Sequence, residues 1–180
     1  HLQRRRQRQM CIRDSSDKAN ELATEVLDNF SVDTNQRILD QMCRKIGISG
    51  SKKENHTLLR NFLKIMLKNQ SDYTITFRAL PQVLLGDSDD LFDQFKEKAE
   101  LHSWLEDWQK TVRAENEDVN LLVNDLNEIN PAYIPRNHQI QDVIDLAYEN
   151  NFSKMLEMIE VVQDPFKAVS YTHLTLPTTL

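Results

Sequence analysis

Glycine is scarce in this chain: three residues in 180, at Gly47, Gly50 and Gly86. Glycines placed so far apart exclude a G-x-G-x-x-G nucleotide loop, and neither a dinucleotide site nor a kinase-type phosphate cover can be assembled from them. The run Gly47-Ile48-Ser49-Gly50-Ser51-Lys52-Lys53 hints at phosphate binding, but a P-loop needs glycines five apart, then Lys and Ser or Thr, after a strand. Proline is also sparse, with five residues, and the sequence is rich in Leu, Glu, Lys, Gln, Asp and Asn. That composition disfavours a turn-rich β fold and favours helices. No apolar run approaches the roughly 20 residues of a membrane span, so no membrane association and a soluble region are expected. His56, His102 and His138 lack the i, i+4 pairing of a helical zinc site, and no metal ligands are assigned.

The ends are set apart from the rest. Residues 5–15, Arg5-Arg6-Gln7-Arg8-Gln9-Met10-Cys11-Ile12-Arg13-Asp14-Ser15, read as an in-frame translation of a common transposase sequencing adapter. Residues 169–178, Val169-Ser170-Tyr171-Thr172-His173-Leu174-Thr175-Leu176-Pro177-Thr178, read as its reverse complement. The expected organisation is therefore an adapter-like segment at 1–15, a helical region at 16–168, and a second adapter-like segment at 169–180. Setting 1–15 aside removes five arginines and one aspartate, so the net charge of −6 becomes −10 for the remainder. It also removes the arginine cluster that would otherwise suggest nucleic-acid binding, and no nucleic-acid partner is expected. Cys11 drops out with it; Cys43 is left alone, which excludes an internal disulfide.

Charge is polarised along the remaining chain. Residues 41–80 hold eight Lys or Arg against Glu54 and Asp72, whereas residues 81–168 sum to −12. The basic part either faces phosphate, nucleotide or an acidic partner, or forms a solvated helix face with some pairing to the acidic half.

Apolar residues recur at three and four throughout, which predicts an all-α fold of about six to eight helices. Leu22, Val26, Leu27 and Phe30, then Ile38, Leu39, Met42 and Ile46, mark one or two helices stopping at Gly47. Ser51-Lys52-Lys53-Glu54 has the form of a capping box. In the helix it opens, Leu58, Leu59, Phe62, Leu63 and Met66 line one face and Arg60, Lys64 and Lys68 another. Ser71 can cap the next helix, where Tyr73, Phe77 and Leu80 share a face expected to be buried. Arg78 lies one position off that face, which suggests docking more than folding. Phe92, Phe95, Ala99, Leu105 and Trp108, with Trp104 beside them, supply an aromatic part of the core. Val119, Leu122, Leu126 and Ile129 form a helix ending near Asn130, before Pro131. Ile140, Val143, Ile144 and Ala147, then Phe152, Met155, Leu156, Ile159 and Val162, predict a closing helical hairpin, with Asn137 as its cap.

Three segments carry a family resemblance. Met42-Cys43-Arg44-Lys45-Ile46-Gly47 is similar to an M-x-x-K-L-G pattern, and Ser71-Asp72-Tyr73-Thr74-Ile75-Thr76-Phe77-Arg78-Ala79-Leu80 closely resembles S-D-Y-T-x-T-F-R-x-L. Asn130-Pro131-Ala132-Tyr133-Ile134-Pro135-Arg136-Asn137 is similar to N-P-x-x-x-x-R-N, with Asp164-Pro165-Phe166 resembling a distal N/D-P-F/Y. In order and spacing these resemble the C-terminal helical portion of SelO (selenoprotein O, YdiU) protein adenylyltransferases.

The resemblance implies a parent enzyme with a kinase-like fold that binds ATP and magnesium and transfers AMP to protein hydroxyls. Its glycine-containing segment, phosphate clamps and metal ligands would lie upstream, and its redox-active Cys or selenocysteine beyond residue 167. No catalytic, cofactor-binding or metal residue is therefore carried over. Ser71, Asp72, Tyr73, Phe77, Arg78, Asn130, Pro131, Arg136 and Asn137 are expected to be structural or to dock the catalytic core, which would be the partner in cis, alongside the parent's protein substrates. The family points to the cytoplasm for a bacterial parent and to mitochondria for a eukaryotic one. The alternative is an independent helical interaction module working through the Arg60, Lys64 and Lys68 stripe.

Overall fold

A computed structural model describes residues 16–167; the two adapter-like segments and residue 168 lie outside the described residues. Within them the chain forms eight α-helices and no strand: α1 (Ser16–Lys45), α2 (Lys53–Asn69), α3 (Tyr73–Leu84), α4 (Asp89–Asp93), α5 (Ala99–Glu115), α6 (Val119–Ile129), α7 (Asn137–Tyr148) and α8 (Ser153–Gln163). The all-α expectation holds. The chain divides into two units between Asp40 and Gln41, so α1 belongs to both.

In the first unit, the expected stripe is present on one unbroken helix. Leu22, Val26, Leu27, Phe30 and Ile38 are nevertheless 54–68% exposed. Its side-chain hydrogen bonds are local, as in Thr24 Oγ1 to the Asn20 carbonyl at 2.9 Å.

The second unit holds the core. α2 packs on α5, and α3 packs on α4 and α6. Phe62 stacks on Trp104 at 4.0 Å between centroids and meets Phe77 edge-on at 5.6 Å, while Trp104 stacks on Trp108 at 5.6 Å. Both indoles have satisfied N–H groups, donated to the carbonyls of Leu58 and Ile46. This aromatic row joins α2, α3 and α5, and each fully buried ring or aliphatic side chain contributes about 1.5–3 kcal/mol. Ala99, expected in the stripe, is exposed; Leu101, two residues later, is wholly buried in its place.

The punctuation departs from expectation at three helix starts. Ser51 does not cap α2: Lys52 occupies the N-cap without a side-chain bond, and the Ser51 hydroxyl pairs with Ser49 at 2.8 Å. At α3 the cap is Asp72, whose carboxylate accepts from the Ile75 N–H at 3.0 Å, while Ser71 Oγ donates to the Gln94 carbonyl. A carboxylate caps as well as a hydroxyl and adds a favourable charge at the helix dipole. At α7, Asn137 is already helical; the turn is closed by Gln139, whose Oε1 accepts from the Arg136 N–H at 3.1 Å. Gly47 does stop α1. It has φ +74, and the Gly47 and Ile48 amides return to the carbonyls of Arg44 and Cys43. A Cβ there would come within 3.1 Å of Leu122 Cδ1, so this turn fits closely against α6.

Candidate functional site

The segments that carry the resemblance meet at the C-terminal end of α6. Asn130 is buried, and its Nδ2 donates to the Lys45 carbonyl at 2.8 Å, binding the end of α1 to the end of α6. Lys45 answers from the same turn: its Nζ donates to the Ile129 carbonyl at 3.3 Å and stands 5.8 Å from the Phe77 ring centre. Burial pushes the Lys45 pKa down. Arg78 reaches the same helix end, donating Nη1 to the carbonyls of Asn127 at 2.7 Å and Asn130 at 2.8 Å, and Nη2 to that of Phe166 at 3.0 Å. Two cations thus sit where the last carbonyls of α6 lack helical partners and the dipole is negative.

Arg78, expected to serve docking more than folding, has a structural role as well: its guanidinium joins α3, α6 and the Asp164-Pro165-Phe166 segment within the chain. The Pro165 carbonyl is held from the other side, accepting from the Ala132 and Tyr133 amides at 2.8 and 3.1 Å. Pro131 fixes φ between Asn130 and those amides, which limits the freedom of the turn. Tyr133 is 2% exposed, and its hydroxyl donates to Gln139 Oε1 at 3.3 Å.

Asp72 links the second and third segments. Besides capping α3, it takes both contacts of Arg136 Nη2, at 2.9 and 2.7 Å, with its side chain only 7% exposed. Phe77 is buried as expected. Tyr73 is not: it is 42% exposed at the rim, its ring tilted against Phe77 at 4.5 Å and its hydroxyl 3.1 Å from Met42 Sδ. Lying at the first position of α3, it has no preceding turn to cover it.

The loop of residues 47–53 that hinted at phosphate binding already holds an anion of the chain itself. Glu115 accepts from the Ser49 N–H at 2.7 Å, Lys52 Nζ at 2.6 Å and Asn55 Nδ2 at 3.0 Å. Burial pushes the Glu115 pKa up, but these donors outweigh it and hold the carboxyl below its usual value. Among the described residues no three His, Cys, Asp or Glu side chains are grouped to hold a metal ion. The described residues of this loop do not fit magnesium–ATP: the Ser49 amide that could meet a phosphate meets the Glu115 carboxylate, which repels one. In the basic stripe, Lys68 is engaged with Glu100 at 2.8 Å and Glu97 at 2.6 Å, contacts that push its pKa up.

Sequence reasoning passed over Lys45, Tyr133, Gln139 and Glu115 as individual residues. The first two lie inside quoted motifs, and a Lys before a helix-stopping Gly suits a helix C-terminus. Gln139 stands three residues after Arg136, the spacing of a helix start. Glu115 gives no local signal, since its partners are some 60 residues away in sequence.

The family comparison covers most of these segments. The model of the family described as protein adenylyltransferase SelO matches residues 7–163, every segment of the junction but Asp164-Pro165-Phe166. The chain belongs to the SelO family. The SelO match begins inside the N-terminal arm set aside above. A protein nucleotidyltransferase YdiU of Maridesulfovibrio salexigens is 30% identical over 156 residues, covering 86% of this chain and 32% of that protein. A YdiU of Rhodopseudomonas palustris is 30% identical over 159 residues (87% and 32%), and one of Agrobacterium fabrum 31% over 152 residues (84% and 31%). The chain therefore spans about a third of the length of the SelO-family relatives it matches. Among the described residues no helix is long and apolar enough to cross a membrane.

Proposed function

We propose that this chain is the C-terminal helical region of a SelO-type protein adenylyltransferase, and that it supports a catalytic core without taking part in the chemistry. In the intact parent a kinase-like core would bind ATP and magnesium. It would pass AMP to a Ser, Thr or Tyr hydroxyl of a protein substrate, with pyrophosphate leaving. The observation that carries this reading is the junction at the end of α6, where Lys45, Asp72, Arg78, Asn130 and Arg136 engage one another or backbone carbonyls. Side chains so engaged hold helices in place.

The same reading makes residues 1–15 and 169–180 adapter-derived additions, and places a bacterial parent in the cytoplasm. Removing both ends is expected to change unfolding free energy by no more than about 0.5 kcal/mol, the range of ordinary surface changes. A loss above about 1 kcal/mol would show that one of them belongs to the fold. For the chemistry, the test is calorimetric titration of the chain with magnesium–ATP, beside an AMP-transfer assay using the full-length Maridesulfovibrio salexigens relative as reference. No saturable heat and no transfer are expected from the chain. Saturable micromolar binding would overturn the supporting role.

A further inference from the structure

The hairpin α7–α8 turns apolar residues outward. Ile140, Ile144, Phe152, Leu156, Ile159 and Val162 are 39–63% exposed, although their spacing is that of helix faces which ordinarily meet a core. Single exposed apolar residues are ordinary; six on one hairpin, five on its two helices and Phe152 in the turn between them, mark a surface meant to be covered. The hairpin is also anchored at both ends. Arg136, before α7, is bound by Asp72, and the Pro165 carbonyl, after α8, is bound by the Ala132 and Tyr133 amides. A surface held this firmly is presented in one pose.

We propose that this face is covered by the part of the parent polypeptide lying outside the present region, through a surface apolar at its centre and basic at its rim. The inference rests on the reading of the chain as a supporting region of a SelO enzyme. Two observations select that occupant over a second copy. The first is length: the matched relatives carry about two thirds of their chain outside this region. Covalent linkage raises the effective concentration of that part to the millimolar range, so a modest face suffices, where two free copies would need a standard interface of roughly 1,200–2,000 Å². The second is charge. Residues 81–168 sum to −12, and Asp145, Glu149 and Glu160 stand exposed on the hairpin, so like charges oppose self-association and favour a basic rim.

The test places aspartate at Ile144 and Leu156 together, in this chain and at the aligned positions of the full-length Maridesulfovibrio salexigens relative. In this chain the unfolding midpoint should move by less than about 2 °C, as for a surface change. In the full-length protein it should fall by at least about 5 °C, with faster amide exchange in the two thirds outside the region; failure of that protein alone to fold counts the same way. An equal loss in both, or no loss in the full-length protein, overturns the proposal. So does a concentration-dependent dimer of this chain that the aspartates abolish. Deleting the whole region from the relative separates the two readings. If the remainder keeps its midpoint and its AMP transfer, the supporting role falls; if deletion destabilises it but the aspartates do not, only this docking face falls.

Discussion

Trp108 of α5 and Leu156 of α8 each lie on an apolar helical stripe, yet Trp108 is wholly buried and Leu156 is 63% exposed. The helices α2–α6 bury their stripes against one another, and the hairpin α7–α8 buries little beyond Gln139 and Val161. Periodicity marks a face as destined for burial without saying which stretch of polypeptide supplies the cover. In α2–α6 the cover is local to the unit; for the hairpin it is assigned above to the remainder of the parent.

The largest expected effect breaks the comparison at its core. Phe77→Ala removes a ring that touches Phe62 and Tyr73 and is 1% exposed, so it should cost about 3–5 kcal/mol, comparable with the stability of a marginal domain. Leu156→Ala in the same chain should change stability by no more than about 0.5 kcal/mol. Paired urea unfolding curves measure both; similar losses would mean that the hairpin is as well packed as the core.

Next comes the junction. Arg78→Ala strips three backbone carbonyls of a charged donor and should cost about 1.5–3 kcal/mol, with Arg78→Lys recovering only part because an ammonium cannot span the same fork. A neutral Arg78→Ala in thermal unfolding would return the residue to a docking role. A smaller effect is expected where junction and hairpin meet. Arg136→Gln removes the contact with Asp72 but leaves the α3 cap intact, at a cost of about 1 kcal/mol. Hydrogen exchange should then rise in α7 and α8 and stay unchanged in α5.

These contrasts follow how much of the molecule was legible in its residues. Helix existence and the aromatic row could be read because they depend on local spacing: Phe62 and Trp108 fall on their own stripes, with Trp104 beside the second. The starts of α2, α3 and α7 differ from the expected caps Ser51, Ser71 and Asn137 because several neighbouring side chains can cap, and tertiary partners decide among them. Ser71 is drawn to the Gln94 carbonyl, which leaves the cap to Asp72. The junction was recognisable only as motifs, since the side-chain bonds of Arg78 and Asn130 that close it join residues 49 to 88 apart in sequence. The exposure of Tyr73 was hidden for a related reason: spacing relates it to Phe77 but not to the end of the helix.

The smallest expected effect compares one chemistry in the two regions. Glu115 and Asp142 each accept a lysine hydrogen bond at 2.6 Å, from Lys52 and Lys154, and in both the carboxyl is held below its usual value. A carboxyl with a depressed folded pKa adds stability above its unfolded pKa and loses it as pH falls through the folded one. For Glu115 the loss should set in below about pH 4.5, and for Asp142 below about pH 3.8. Their surroundings differ. The Glu115 side chain is 12% exposed and also holds the Ser49 amide and Asn55, whereas the Asp142 side chain is 54% exposed and salt screens its pair. Glu115→Gln should therefore flatten the acid side of the stability curve slightly, by less than Arg136→Gln costs at neutral pH, and the flattening should persist in 1 M salt. Asp142→Asn should leave the curve unchanged once salt is added. Urea midpoints from pH 3 to pH 6, at low and high salt, measure both; equal, salt-sensitive effects would place Glu115 in solvent like its counterpart on the hairpin.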